Sequence, residues 1–149
     1  LAAREDLTTR GITVVTNAVN IAGQLAMRPE FKVVVTGGVI HSRSFELVGP
    51  FVEQLLAGIR LYTAFFGVNG SDAANGATTH DEAEAAVNRL MAERAARAVI
   101  VADSSKFGSS AFAHDGGAEL FPLVLTDARI DTVQRAALEA VGYEVRIAE

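Results

Sequence analysis

Short β-branched, apolar runs recur along this chain, each followed by a longer stretch of helical character, and that alternation confines the fold to βα units around a parallel sheet. The pattern predicts strands over Ile12–Thr16, Lys32–Thr36, Leu61–Gly67, Ala98–Ala102, Leu123–Thr126 and Glu144–Ile147. Val33-Val34-Val35 and Val99-Ile100-Val101 are continuous apolar runs, as expected of strands covered on both faces. Asn17 is placed to cap a helix reaching about Met27, because the residue before Pro29 is steered away from helix. Pro50 opens a second helix running to about Gly58, since a first-turn residue can do without its N–H. Asp81 to about Arg97 is rich in the good helix formers Ala, Glu and Arg. A last helix is expected from Asp127 or Ala128 to Val141, closed by Gly142 where left-handed backbone is favoured. Leu1–Arg10 read as the tail of a helix, so the chain opens partway through a βα unit. With no repeat or low-complexity linker, residues 1–149 are expected to form one domain.

Composition narrows the function classes. Half of the 149 residues are hydrophobic, which suits a single sizeable core and argues against disorder. The absence of cysteine removes disulfides, thiolate metal sites and cysteine nucleophiles, and fits a reducing cytoplasm. No apolar run approaches the ~18 residues that span a bilayer and no signal peptide is visible, so no membrane partner is expected. The net charge is −5, Lys32 and Lys106 are the only lysines, and the arginines are scattered apart from Arg89, Arg94 and Arg97 on one predicted helix. Nucleic-acid binding needs clustered cations to release counterions from phosphates, so this segment is not expected to bind DNA by itself.

In an open parallel sheet ligands bind outside the carboxyl ends of the strands, and there the polar residues gather. Thr16 and Asn17 follow the first predicted strand, Thr36, Gly37 and Gly38 the second, and Gly67, Asn69, Gly70 and Asp72 the third. Asp103-Ser104-Ser105-Lys106-Phe107-Gly108 follows the fourth, and Thr126 and Asp127 the fifth. Hydroxyls, amides and closely approachable glycine backbone suit a polyhydroxylated anion, although the same residue types also make ordinary turns. Lys106, one of two lysines and directly behind a buried strand, offers either a point charge for phosphate or a donor for a sugar oxygen. Before the long helix, Asp81 or Thr79 is suited to capping, with Glu84 completing a capping box or pointing into the strand-end crevice. His41, His80 and His114 have no metal-ligand spacing, and no nucleophile elbow, Walker loop or dinucleotide fingerprint is present; neither metal nor cofactor is expected.

The order of these motifs resembles one family. Val14-Val15-Thr16-Asn17-Ala18-Val19-Asn20-Ile21-Ala22, then Thr36-Gly37-Gly38, Leu47-Val48-Gly49-Pro50 and Phe66-Gly67-Val68-Asn69-Gly70-Ser71-Asp72 are similar, in sequence and spacing, to the pattern of DeoR-type bacterial transcriptional regulators. Gly76-Ala77-Thr78-Thr79, Ala102-Asp103-Ser104-Ser105-Lys106-Phe107-Gly108, Leu125-Thr126-Asp127 and Gly142-Tyr143-Glu144-Val145 continue the resemblance over nearly the whole chain. It implies the C-terminal effector domain: a Rossmann-like, three-layer parallel sheet of the ribose-5-phosphate isomerase type. It also implies a homo-oligomer whose DNA affinity, carried by a separate N-terminal winged helix-turn-helix, changes when a sugar phosphate binds.

Two departures bear on that expectation. The family pattern places a mid-sheet strand, ending in a DSGTT-like phosphate-cradling turn, ahead of the position of Leu1. Asn69 stands where the family more often has Asp, and an amide cannot serve as a general base although it donates and accepts hydrogen bonds. The expected function is therefore a sugar-phosphate sensor, probing its ligand with Asn69, Asp72, Glu84 and Lys106 and, on another wall, Thr16, Asn17, Gly37 and Gly38. Alternatives are an aldose–ketose isomerase with Glu84 as base and Asp72 in support, and an oligomerisation module without a ligand.

Overall fold

Strand β1 (Thr13–Thr16), helix α1 (Val19–Ala26) and strand β2 (Lys32–Val35) build a βαβ unit within the segment Leu1–Gly58, and Ile59–Glu149 form a second compact unit. The computed structural model describes residues 11–148, so the helix tail expected at Leu1–Arg10 lies outside the described residues. β1 and β2 pair in parallel, Thr13 opposite Lys32 through Thr16 opposite Val35.

Helix α1 does not begin as expected. Its N-cap is Ala18, and Asn17 does not cap it. The Thr16 hydroxyl accepts from the Ala18 N–H at 3.1 Å, while Asn17 Nδ2 donates to Glu46 Oε2 at 3.5 Å and to the Leu47 carbonyl at 3.4 Å. The acceptors belong to a hairpin that the periodicity did not reveal, β3 (Val39–His41) and β4 (Glu46–Val48), whose Leu47 N–H also donates to the Asn17 carbonyl at 2.7 Å. Tertiary pairing thus claims Asn17 before the helix can. Pro50 opens α2 (Pro50–Ala57) behind Gly49 as expected. Leu25, Phe31, Leu47, Val52 and Leu56 are buried in this unit. Val33 and Val34, expected to be covered on both faces, are half-buried and Val35 is 43% exposed.

In the second unit, β5 (Leu61–Phe66), β8 (Ala95–Val101), β10 (Leu123–Thr126) and β11 (Glu144–Ile147) form a parallel sheet in the order β11–β10–β8–β5. The fold is α/β and Rossmann-like. Val99 and Ile100 of β8 are buried, as their apolar run predicts, but Val101, the third residue of that run, is 44% exposed at the strand's end. Phe66 of β5 meets Phe121 edge-on with centroids 5.0 Å apart, an arrangement worth ~0.5–1.5 kcal/mol beyond its buried area.

Helix α3 (Glu82–Arg94) is shorter than the sequence predicts, and the chain passes from it directly into β8 at Ala95. Ala95 and Arg97 lie opposite Leu61 and Thr63 of β5, and sheet pairing overrides the high helix propensity of Ala-Ala-Arg. Arg97 therefore does not share a helix with Arg89 and Arg94. Helix α4 (Thr132–Ala140) starts at Thr132 rather than at Asp127 or Ala128, because Asp131 caps it, accepting from Val133 N at 2.8 Å and Gln134 N at 3.2 Å. Gly142 follows with φ +104°, the left-handed backbone expected of it.

A small antiparallel sheet, β6 (Gly70–Asp72), β7 (Gly76–Thr79) and β9 (Ala113–Gly116), went unpredicted because its sequences are small and polar rather than β-branched. Every residue of β7 is buried. Gly76 has φ +66°, and a Cβ there would lie 2.5 Å from the Gly116 carbonyl oxygen. A polar knot ties this sheet to α3. The Thr78 hydroxyl donates to the Gly70 carbonyl at 2.9 Å and accepts from Ala111 N at 2.8 Å. Asp115, fully buried, accepts from Thr79 Oγ1 at 3.1 Å and Asn88 Nδ2 at 3.0 Å. Burial pushes the Asp115 carboxyl up to about 6, against the opposing pull of those two hydrogen bonds and of Arg89 and His114.

Two outcomes follow for stability. Gly76→Ala combines left-handed strain of ~1–2 kcal/mol with a backbone clash, whereas Gly37→Ala, at φ +72° in open space, meets the strain alone. Urea unfolding should show the larger loss for Gly76→Ala; equal losses would mean that the β7–β9 contact tolerates a methyl group. Because the folded state raises the Asp115 pKa, its stabilising contribution is complete below about pH 4 and is lost as pH rises through about 6. Over that interval the wild type should lose stability relative to Asp115→Asn in urea titrations at stepped pH, and a constant difference would refute it.

Candidate functional site

The loops after β5, β8 and β10 leave one end of the parallel sheet, and short hydrogen bonds hold them there. Beyond β8, Asp103 accepts from Ser105 N at 2.9 Å and from the Ser105 hydroxyl, fixing a 3-10 turn over Ser104–Lys106. Beyond β10, Asp127 accepts from Ser104 N at 2.9 Å and, on its other side, from Arg129 Nε at 3.0 Å and Arg129 N at 2.9 Å. Asp127, expected to start a helix, instead ties neighbouring loops together. The Arg129 guanidinium, followed by the Ser104 and Arg129 N–H groups, holds its carboxyl well below the usual carboxylate range. The Ser105 hydroxyl and N–H, against slight desolvation, lower Asp103 as well, aided by Lys106. Both groups are ionised at neutral pH, and Lys106 lies half-buried in the turn they brace.

Beyond β5, Asn69 lies at the mouth of the β6–β7 hairpin. Its N–H donates to the Thr78 carbonyl at 3.0 Å, and its Oδ1 accepts from His80 N at 3.1 Å. Asn69 is exposed, and its Nδ2 carries two donors. The His80 turn leads into α3, where Asp81 is the cap, accepting from Ala83 N at 2.9 Å and Glu84 N at 3.0 Å. Glu84, in that first turn, is buried. Asn69, His80 and the start of α3 therefore form one connected turn, with Lys106 in the loop of the adjacent strand.

Asp72 is engaged elsewhere. β6 carries it into the hairpin turn, where its Oδ1 accepts from Ala74 N at 2.9 Å and Asn75 N at 2.6 Å and its Oδ2 from Asn75 Nδ2 at 2.9 Å. Partial burial pushes its pKa up, but the bonds from Asn75 and Ala74 prevail and lower it. That turn borders a cleft of about 240 Å³ lined by Asn75, Gly76, His114, Glu119 and Tyr143, which none of the sequence-nominated residues lines.

In the first unit, Thr16 is buried and spends its hydroxyl on Ala18, and Asn17 anchors the β3–β4 hairpin. Gly37 is exposed with φ +72°, and Gly38 has φ +123° with its would-be Cβ 2.7 Å from the Val48 carbonyl oxygen. Gly38 is thus required by the approach of the hairpin. Sequence reasoning missed Asp115 and the tethering by Asp127; a lone aspartate in a polar segment carries no periodic signal, and the only hint was its place between two glycine-flanked turns. Among the described residues no group of three His, Asp or Glu is disposed to hold a metal ion, and no helix is long and apolar enough to cross a membrane.

Comparison with known proteins agrees with the motif order. The chain is 36% identical over 131 residues to the HTH-type transcriptional regulator GlpR of Haloferax volcanii, covering 88% of this chain and 51% of that protein. It is 28% identical over 117 residues to the glycerol-3-phosphate regulon repressor of Escherichia coli K12, covering 78% and 46% respectively. To the L-fucose operon activator of Haemophilus influenzae it is 34% identical over 95 residues, covering 64% and 38%. The chain spans about half the length of the first two of these relatives. Residues 2–128 match the DeoR C terminal sensor domain, and the chain belongs to that family of transcriptional regulators.

Proposed function

We propose that this sensor domain binds a phosphorylated sugar or polyol at the loop end of its parallel sheet and passes the occupancy on by rearranging a homo-oligomer. DNA would be gripped by a helix-turn-helix head outside residues 1–149, since this segment has no cationic cluster. The observation that carries the reading is the braced cation at the strand ends: Lys106 sits in a turn fixed by Asp103 and Asp127, and the loop after the neighbouring strand β5 carries the exposed amide of Asn69. In open α/β sheets that is where ligands bind. A lysine on a rigid turn offers phosphate a point charge without the entropy of ordering a loop, and the Asn69 amide offers a hydroxyl both a donor and an acceptor.

In this reading Lys106 engages the phosphate or a sugar oxygen, Asn69 and Glu84 take hydroxyls, and Asp72 shapes the turn behind them. The names of the relatives support the class: one governs a glycerol-3-phosphate regulon and another an L-fucose operon. Both repressors and activators occur among them, and the repressor sense is the one proposed here. The effector acts only if it binds one subunit arrangement better than another, because equal affinity for both shifts nothing.

Thermal unfolding against a panel of sugar and polyol phosphates, on a protein extended to the length of the relatives, tests the proposal. A hundredfold excess over Kd adds about 2.7 kcal/mol, several degrees in Tm. One phosphorylated compound should raise Tm, its unphosphorylated counterpart should not, and Lys106→Ala should reduce the rise. A flat response across the panel would leave an oligomerisation module as the better account. Isomerase turnover that Glu84→Gln abolishes would instead establish an enzyme.

A further inference from the structure

The hydroxyl of Thr79 lies within hydrogen-bonding distance of two acceptors. Its Oγ1 is 3.1 Å from Asp115 Oδ1 and 3.2 Å from the Asp81 carbonyl oxygen. A threonine hydroxyl has one hydrogen, so it cannot serve an ionised carboxylate and a carbonyl fully at once. One proton on Asp115 resolves the conflict. Asp115 Oδ1–H then donates to Thr79 Oγ1, and the Thr79 hydroxyl donates to the Asp81 carbonyl. Asp115 Oδ2 accepts from Asn88 Nδ2 at 3.0 Å. All three contacts are satisfied, which a fully buried carboxyl requires.

We propose that Asp115 is a proton switch for the turn carrying His80 into α3. In the neutral form the relay Asp115–Thr79–Asp81 closes that turn. On ionisation the carboxylate, the stronger acceptor, takes the Thr79 hydrogen and the Asp81 carbonyl loses it. The same carbonyl caps the start of α3 by accepting from Ala85 N at 3.0 Å, and the next residue back, His80, donates its N–H to Asn69 Oδ1. Proton occupancy on β9 is thereby linked to the setting of Asn69, some of the way across the unit.

The charged and titratable groups around Asp115 set the balance. From α3 come Arg89, whose Nη1 donates to the His114 carbonyl, and Glu84, buried one turn before Asn88; from β9 itself comes His114, and at the start of α3 stands Asp81. Arg89 and His114 favour the ionised carboxyl, whereas its burial favours the neutral one and prevails. The bearing of this relay on effector affinity rests on the sensor reading above, but the relay itself does not, and it is tested without any ligand.

The test is a carbon and nitrogen NMR titration of the uniformly labelled protein from about pH 4 to about pH 8, following Asp115 Cγ, the Asp81 carbonyl carbon and the His80 amide. All three should move together, with a midpoint near 6. They should still do so when both His80 and His114 are replaced by Gln, which removes the two imidazoles nearest the relay. Asp115→Asn, whose amide can donate to Thr79 at every pH, should abolish the transitions at Asp81 and His80. Thr79→Val should leave Asp115 titrating but silence the Asp81 carbonyl. Movement of Asp115 Cγ in the ordinary carboxylate range would overturn the proposal, as would an Asp81 transition that survives Asp115→Asn. The wild-type titration decides the matter even where a variant fails to fold.

Discussion

The arrangement of the second unit depends on β8 being paired on both edges. Its backbone N–H and C=O groups, buried at Ala98, Val99 and Ile100, have no access to water, and parallel ladders to β5 and β10 supply their partners. Parallel pairing forces the following loops to one end of the sheet. The residues that can meet a ligand there are consequently set by which residues follow each strand. The demand of β8 for a partner is also strong enough to draw Ala95–Arg97 out of helix, so strand pairing decides where α3 stops.

Given loops at a common end, side-chain hydrogen bonds tie those loops to one another. Asp127 reaches from the loop after β10 to the backbone of the loop after β8, and Asp103 closes the turn bearing Lys106. Asp103 is exposed and Asp127 only half-buried, so these are positioning interactions rather than large terms in global stability. Behind Asn69 the restraint is of another kind, a buried polar knot of Thr78, Thr79, Asn88 and Asp115 that joins the small antiparallel sheet to α3. A buried network holds geometry because each unmade bond leaves an unsatisfied group, and it responds to protons for the same reason.

The sensor-domain membership and the Rossmann-like sheet are consistent with one another, since the family motifs coincide with the ends of strands. Thr36-Gly37-Gly38 follows β2, Gly67-Val68-Asn69 follows β5, and the Asp103–Gly108 motif follows β8. Some of these residues serve the fold first. Gly38 lets the hairpin approach, Asp72 closes its own turn, and Asn17 holds β4. Motif residues at strand ends therefore divide between those that build the loop and those, such as Lys106 and Asn69, that the built loop presents.

By itself the sequence determined the parallel-sheet class, the order of its parallel strands and the helices between them, and the loops where polar groups collect, because periodicity, proline and glycine act locally. Val99-Ile100-Val101 marked a central strand, and Pro50 and Asp81 marked helix starts, through constraints that operate within a few residues. Only the tertiary structure decided the rest. It drew Asn17 to a hairpin near residue 46, set Asp127 against Ser104, made strands of Gly-Ser-Asp and Gly-Ala-Thr-Thr, and buried Asp115 between Thr79 and Asn88. Each of those outcomes joins residues far apart in the chain, and a hydrogen bond is claimed by whichever partner the fold brings near, which local propensity does not encode.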